Sequence, residues 1–330
     1  MKYRRIVALM CWSAVLLVGG HAYGQGTQPY PDAITDRLLH PKTPMLPPPV
    51  RTVFTDPDFG SSMVRVTNRS TDSTRFGSFF HNPHGSANAW SADGRKFYLI
   101  RQDEFNLAFG FDPATMRVRS LPGAGPNQGF RIPLRPGPTF SSVDPDLMFG
   151  TLPKAPLTIA SYRFSTGKTS MLLDTTTCET RPALAPNVYS DYIMTASADD
   201  SRVVISEGAR QYGSHMFVTV YDKDLGCRWY NTQTGEIGGQ WGALGQASLG
   251  NGYLIRHTAI SGSGRYVKIE TDSGAGFYVW DVETLNVAVC PLRKGLLCAG
   301  YSALGYDTQI NAAGSIDEMN TLKRPLGKLG

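Results

Sequence analysis

The sequence contains no apolar run long enough to cross a membrane. Its longest, from Ile6 to Gly19, is broken only by Ser13 and has about 14 residues, whereas a bilayer span takes about 20. Basic residues precede this run and Ala22-Tyr-Gly24 follows it, which is the order found in a cleaved export signal. The sequence therefore predicts a signal peptide over residues 1–24, no membrane span, and a periplasmic or secreted protein.

An excess of charge of one sign is also missing. The chain has 32 Lys and Arg against 27 Asp and Glu, and the excess falls to +2 once Lys2, Arg4 and Arg5 are assigned to the signal. A strongly basic surface is the electrostatic footprint of proteins that bind nucleic acid. The near balance of charge therefore predicts no nucleic-acid partner.

Motifs of common catalytic and cofactor sites are absent as well. There is no Gly-x-Ser-x-Gly nucleophile elbow, and no two histidines are separated by a single residue. The glycine-rich stretch 238–252 lacks the Lys-Ser/Thr pair of a phosphate-binding loop. The sequence therefore predicts no cofactor and assigns no catalytic residue.

Stretches of the sequence without glycine or proline, the residues that break helices, are short. The 330 residues include 35 Gly and 22 Pro, about one in every six positions, which suits short strands joined by tight turns. Residues 25–50 carry seven of the prolines with little apolar periodicity, and they are predicted to form an extended leader. An all-β fold is predicted for residues 51–330.

Cysteine is sparse, and four residues follow the predicted signal: Cys178, Cys227, Cys290 and Cys298. An even number outside the cytoplasm permits disulfides, and four cysteines allow three pairings. The short loop between Cys290 and Cys298 favours that bridge, and Cys178 would then pair with Cys227. The alternative is four reduced and buried thiols, because free cysteine is commonly buried.

Four stretches of the chain repeat one pattern of strand, polar turn, strand, variable loop and two further strands. A serine in the first turn marks each copy, and intervals of 50, 56 and 64 residues between these serines suit four-stranded blades. Each copy is a sheet with two apolar faces, so neighbouring copies must stack to bury both. The marker serines are Ser91, Ser141, Ser197 and Ser261.

The ends of the repeated region are less regular. Residues 51–67 look like two strands of a further copy, and residues 299–312 look like the start of another. In the third copy, either residues 223–226 or residues 231–235 could form the last turn. No closing strand is expected in residues 313–330, so the ring is predicted to be incomplete at its C-terminal end.

The segment Trp90-Ser-Ala-Asp-Gly-Arg-Lys-Phe-Tyr98, with weaker echoes at 197–205 and 261–269, resembles the repeats of TolB-type, WD-like propellers of exported bacterial proteins. The resemblance covers most of residues 51–312. It implies a β-propeller with about five to seven four-stranded blades. It implies no particular activity, because this fold hosts binding modules and enzymes alike.

Candidate ligand contacts come from the innermost strands, which converge at the mouth of a propeller, and from loops beside them. Trp241 is included because a long glycine-rich loop with one aromatic residue could cover a ligand. The predicted ligand-binding residues are His84, Asn88, Trp90, Trp241 and His257.

Two classes of function remain open. The leading hypothesis is an exported, monomeric binding module for a protein or glycan, without catalysis. The alternative is a metal-assisted enzyme that degrades polysaccharide, since propeller pectin lyases use a histidine cluster and that resemblance would place His81, His84, His215 and His257 in such a site. An enzyme of this kind should bind a divalent metal or show a pH profile near the histidine reference pKa of about 6.5.

Overall fold

A computed structural model describes residues 41–68, 71, 80–81, 83, 87–101, 105–126, 128–135, 137–183, 188–190, 193–209, 215–249, 251–272, 277–290, 302–304, 308–311 and 316–318. Across these residues the fold is all-β, and the single helical element is a 3-10 turn at Thr175–Thr177. The described part of the chain holds no helix with the length and apolar character of a membrane span.

The chain divides into two compact units, residues 1–45 with 55–61 and residues 46–54 with 62–330. In the smaller unit, the Asp56 carboxylate accepts hydrogen bonds from the amides of Asp58 at 2.8 Å and Phe59 at 3.0 Å. Asp58 in turn accepts a bond of 2.8 Å from the Thr43 amide. The larger unit contains all four repeated copies.

The four copies fold into antiparallel meanders, which we call the first to fourth blades. A short hairpin of β1 (Val53–Thr55) and β2 (Ser62–Val64) precedes them. The first blade contains β3 (Phe80–His81), β4 (Lys96–Arg101), β5 (Asn106–Asp112), β6 (Arg117–Arg119) and β7 (Phe130–Arg131), and the second contains β8 (Thr139–Phe140), β9 (Leu147–Leu152), β10 (Ala155–Arg163) and β11 (Lys168–Asp174).

The third and fourth blades belong to one continuous sheet of 11 strands. The repeats in the sequence predicted separate blades and gave no sign of this connection. The connection is a single residue pair between His215 and Ile255. The strands are β12 (Val188–Ser190), β13 (Thr195–Ala196), β14 (Arg202–Ala209), β15 (His215–Asp222), β16 (Gly226–Asn231), β17 (Glu236–Gly239) and β18 (Gly245–Gln246), followed by β19 (Ile255–Ile260), β20 (Tyr266–Thr271), β21 (Phe277–Asp281) and β22 (Val287–Cys290).

In the third blade both candidate turns exist, because β16 lies between them. After the fourth blade, β23 (Ser302–Leu304), β24 (Thr308–Asn311) and β25 (Ile316–Glu318) form a separate three-stranded antiparallel sheet, in which Ile316 pairs with Ile310. Residues 313–330 therefore contain a short strand, and the expectation that they hold no closing strand of the ring stays a prediction.

The marker serines close the first turn of three blades in the same way. Ser91 lies before β4 and its hydroxyl accepts a bond of 2.9 Å from the Lys96 amide, while the Ser91 amide donates to the Lys96 carbonyl at 2.9 Å. Gly94 between them has a φ of 66°, a left-handed conformation that favours glycine. The same two bonds join Ser197 to Arg202 and Ser261 to Tyr266.

Hydrogen bonds between inner segments connect successive blades. The Phe140 amide donates to the Asn88 carbonyl at 3.0 Å, the Met194 amide to the Gly137 carbonyl at 2.9 Å, and the Ile260 amide to the Thr195 hydroxyl at 2.9 Å. These bonds join the first blade to the second, the second to the third and the third to the fourth. The predicted fold class, an all-β propeller, is confirmed, with four strands in the second and fourth blades and additional short strands in the first and third.

One of the two predicted disulfides lies within the described residues. Cys178 and Cys227 are bonded, with Cα atoms 5.8 Å apart, so the chain has an oxidised pair between the 3-10 turn and β16. Cys290 is the last residue of β22, and Cys298 lies outside the described residues. The Cys290 to Cys298 bridge stays a prediction.

Candidate functional site

The candidate site lies on one side of the first blade, which we call its outer face. Alternate residues of β4 and β5 point to opposite sides of the sheet. Tyr98 and Ala108 pack toward the second blade, whereas Phe97 and Phe109, paired across the two strands, belong to a separate apolar cluster on the outer face. Among the residues whose side chains are described, no neighbouring blade contributes to that cluster, and Val64 and Val66 pack against it.

A pocket of about 600 Å³ opens on the outer face. At its mouth is Trp90, with 44% of its surface exposed. Its ring centre is 4.8 Å from that of Phe97 and 5.3 Å from that of Phe111, so three aromatic rings form one wall. The remaining lining residues are Val64, Val66, Pro83, Ala87, Ala89, Tyr98, Leu99 and Met116.

The pocket offers almost no polar side chain to a ligand. Tyr98 is the one lining residue with a hydroxyl, but its ring packs toward the second blade, where the hydroxyl donates to the Pro138 carbonyl. Burial raises the pKa of Tyr98, so the phenol keeps its proton for this bond. The pocket is therefore built to take an apolar group.

Two arginines of the first blade pack on one aromatic ring, that of Phe105. Arg131 of β7 lies opposite Leu107 in the antiparallel register and is exposed. Its guanidinium carbon is 3.4 Å from the ring centre of Phe105, and that of Arg101 is 5.0 Å from the same ring. Two cations thus share one aromatic ring.

Asn88, a predicted ligand contact, takes part in the joint between blades. Its amide donates to the Thr139 hydroxyl at 2.9 Å, and its side-chain oxygen accepts from the Trp90 amide at 3.4 Å. Its side-chain nitrogen lies 3.5 Å from the Phe140 carbonyl oxygen. Asn88 therefore fixes the backbone next to Trp90, and direct contact with a ligand stays a prediction.

Trp241, which is not part of the Trp90 pocket, packs against two arginines. Its ring centre is 4.7 Å from the guanidinium carbon of Arg202 and 5.4 Å from that of Arg228. Arg228 is buried and donates to the carbonyls of Trp241, Ala243 and Thr284, and burial lowers its pKa to about 10. The indole thus stabilises the glycine-rich segment, and its predicted role in ligand binding stays a prediction.

The predicted histidines do not all fall within the described residues. His257 is buried in β19, opposite Glu270 of β20, and His215 is buried in β15. His84 lies outside the described residues, as does the side chain of His81. Among the residues whose side chains are described, no three His, Cys, Asp or Glu gather into a metal-binding group.

Trp90 could be selected from the sequence, but the residues around it could not. Phe97, Phe111, Val66 and Met116 lie in predicted copies or strands, and nothing in the sequence indicated that they line a pocket. The available signal was the apolar run from Phe97 to Ile100 in β4, which indicates a strand with apolar residues on both sides. It could not show whether either side is covered.

No protein-family model matches the sequence, and no curated protein matches it. Solved structures do match. TolB from Acinetobacter baumannii has 14% identity over 82% of this chain and 57% of its own, with a TM-score of 0.39. An oligogalacturonate lyase from Vibrio parahaemolyticus has 10% identity over 84% of each chain and a TM-score of 0.39.

The periplasmic gluconolactonase PpgL from Pseudomonas aeruginosa has 14% identity over 62% of this chain and 55% of its own, with a TM-score of 0.34. TolB is thus among the matching structures, as the repeat motif predicted. This chain spans 57% of the length of TolB. These similarities concern the fold alone, and the pocket stands on its own geometry.

Proposed function

We propose that this protein is an exported, monomeric β-propeller that binds another protein by taking an apolar side chain into the Trp90 pocket. The observation that carries the proposal is the pocket itself, about 600 Å³ in volume with a half-exposed tryptophan at its mouth. Ligand pockets commonly measure about 300–1,000 Å³ and are lined mainly by apolar and aromatic side chains. Large exposed apolar surfaces of soluble proteins commonly mark interaction sites.

The lining favours a protein over a glycan as the ligand. A sugar brings many hydroxyl groups, and each buried hydroxyl without a partner costs about 1–3 kcal/mol. The single hydroxyl of the lining, on Tyr98, is already bonded to Pro138. A leucine, methionine or phenylalanine side chain from a partner would need no such bonds.

Export is part of the proposal and has two supports. The first 24 residues have the order of an export signal. The Cys178–Cys227 disulfide is of the kind that persists outside the reducing cytoplasm.

A selection from displayed random dodecapeptides against the purified protein tests the proposed function. Selected peptides should bind the unaltered protein and lose about 30-fold in affinity for Trp90→Ala, as expected for an aromatic residue at the centre of an interface. The matched control is Leu225→Ala, because Leu225 is 51% exposed in a turn of the third blade and lies outside the pocket.

A glycan array probed with the unaltered protein and the same two variants tests the alternative that the ligand is a glycan. Binding of glycans that depends on Trp90 would contradict a protein ligand, as would peptides that bind Trp90→Ala and the unaltered protein equally. Loss of affinity in Leu225→Ala to the same degree would show that the effect is not specific to the pocket.

A further inference from the structure

The loop that precedes the third blade is anchored at both ends on one buried carboxylate. Glu207 of β14 has a side chain without exposed surface, and its Oε1 accepts a bond of 2.5 Å from the Thr175 hydroxyl. Its Oε2 forms an ion pair of 2.7 Å with Arg181, whose side chain is 1% exposed. Arg181 also donates to the Thr175 carbonyl at 2.8 Å. Thr175 and Arg181 are therefore held together, and residues 176–180 between them form what we call the Cys178 loop.

The middle of the Cys178 loop is attached to β16. Cys178 is bonded to Cys227, and Trp229 Nε1 donates to the Glu179 carbonyl at 2.9 Å. Cys178, Cys227 and Trp229 belong with Phe217 to one buried apolar cluster, whereas the other four residues of the loop are exposed. The loop is thus a thin cover with Trp229 on its inner side and solvent on its outer side.

One residue of the Cys178 loop has a strained backbone. Thr180 has a φ of 60°, a left-handed conformation that is rare for a β-branched residue. Such strain persists only where the surroundings fix the backbone, and it is common in segments that change conformation. The contacts that fix it here are the disulfide, the Trp229 bond and a bond of 3.3 Å from the Gly239 amide to the Thr180 hydroxyl. Without the disulfide the covalent restraint is gone, and relaxation of Thr180 favours an open loop.

We propose that the Cys178–Cys227 disulfide is a redox switch, whose reduction lets the Cys178 loop lift from Trp229 while both ends of the loop stay anchored on Glu207. Because the ends stay in place, Cys178 remains within reach of Cys227, and oxidation closes the loop again. The switch lies in the third blade and is independent of the Trp90 pocket.

The reductant in this step is a dithiol, of the class that thiol–disulfide oxidoreductases present. Its thiolate attacks Cys178 Sγ, since Cys178 is 6% exposed and Cys227 has no exposed surface, and Cys227 leaves as a thiolate. The second thiol of the reductant then attacks the mixed disulfide and releases Cys178. Two electrons pass to the protein, the two cysteines take up two protons, and the reductant becomes a disulfide.

Hydroxyl-radical labelling read by mass spectrometry tests the switch on the oxidised, dithiothreitol-reduced and reoxidised protein. Trp229 and Trp280 both have no exposed surface, so both should label slowly in the oxidised protein. Reduction should raise the labelling of Trp229 about tenfold through local opening and leave that of Trp280, the matched control, unchanged. Reoxidation should restore the slow labelling. The masses of alkylated peptides would show that Cys178 and Cys227 are the reduced pair.

Two results of this experiment would overturn the inference. An equal rise at Trp229 and Trp280 would mean that reduction unfolds both blades rather than opening one loop. Unchanged labelling of Trp229 after reduction would mean that the disulfide is only a brace. Cys178→Ser repeats the test without reductant and should show the labelled Trp229, and the reduction series on the unaltered protein decides the question if this variant does not fold.

The anchored ends are tested by a matched pair of variants. Thr175→Val removes the hydroxyl that bonds Glu207, and Thr177→Val removes an exposed hydroxyl of the same turn, which donates to the Asp174 carbonyl at 2.8 Å. Loss of one hydrogen bond should slow reoxidation of Thr175→Val about fivefold, and Thr177→Val should reoxidise like the unaltered protein. Equal reoxidation rates in the two variants would overturn the role of Glu207 as the anchor.

Discussion

The interface between the third and fourth blades and the outer face of the first blade are built from similar residues but differ in what covers them. In the interface, Tyr230 and Trp280 pack against each other with ring centres 5.5 Å apart, and both are fully buried. On the outer face, Trp90 packs against Phe97 with ring centres 4.8 Å apart and stays 44% exposed. Similar aromatic contacts therefore produce a core in one place and an accessible pocket in the other.

The difference follows from the stacking of blades. Val204 and Val218 of the third blade join Val267 and Ile269 of the fourth in one apolar cluster, so each blade covers the other. Val64 and Val66 cover part of the outer face of the first blade. Val64 is the last residue of the two-stranded hairpin, and Val66 follows it in the chain. A hairpin covers less area than a blade, and beside Val64 and Val66 the described part of the outer face holds the pocket.

Truncation of a buried tryptophan should show the largest effect. Trp280→Ala removes a side chain with no exposed surface, and such changes cost about 3–5 kcal/mol of unfolding free energy. Chemical denaturation followed by circular dichroism would measure the loss. A loss under about 1 kcal/mol would contradict the view that the third and fourth blades form a close-packed interface.

The side of the fourth blade that faces away from the third blade differs from both regions, because it holds a buried charged residue, Lys268. Lys268 alternates with Val267 and Ile269 and so lies on the face away from the third blade, above the Phe277 ring at 4.4 Å. Burial lowers the pKa of Lys268 to about 8, although Glu270 opposes the shift. Glu270 also pairs with Arg256 at 3.5 Å.

This pKa predicts how stability depends on pH. The folded value of about 8 is below the ordinary value of 10.5, so the unfolded chain binds more protons between these pH values. Stability should rise with pH from about 8 to about 10, and the full cost of the buried charge should be present below pH 8. Lys268→Met should remove this slope and stabilise the protein at pH 7 by about 1–3 kcal/mol.

Thermal unfolding at several pH values would check the effect. Lys168→Met is the control, because Lys168 is exposed in β11 and its replacement should leave the pH dependence unchanged. A destabilised Lys268→Met variant at pH 7 would show instead that the contacts of the ammonium group outweigh its desolvation.

Features that depend on neighbours in sequence could be predicted, and features that depend on neighbours in space could not. The fourth predicted copy, marked by Ser261, folds into β19, β20 and β21, because strand patterns and glycine-containing turns are local signals. The buried ion pair between Arg181 and Glu207, at 2.7 Å, gave no local signal. Its partners lie on segments that only the tertiary fold brings together.

The same limit applies to the candidate site. Trp90 could be selected because it lies in the repeat motif, and each copy could be predicted to be a sheet with two apolar faces. An apolar face is equally compatible with burial under another blade, as for Val267 and Ile269. Only the tertiary fold shows that, among the described residues, Val64 and Val66 pack on the outer face of the first blade.

Truncation at the pocket should show the smallest effect on stability. Trp90→Ala removes a half-exposed ring, and its contacts with Phe97 and Phe111 contribute about 0.5–1.5 kcal/mol. We therefore expect a loss of about 1 kcal/mol, measured by the same denaturation as for Trp280→Ala, beside the large loss of peptide affinity. A loss equal to that of Trp280→Ala would make Trp90 a core residue, and the outer face would then serve packing rather than recognition.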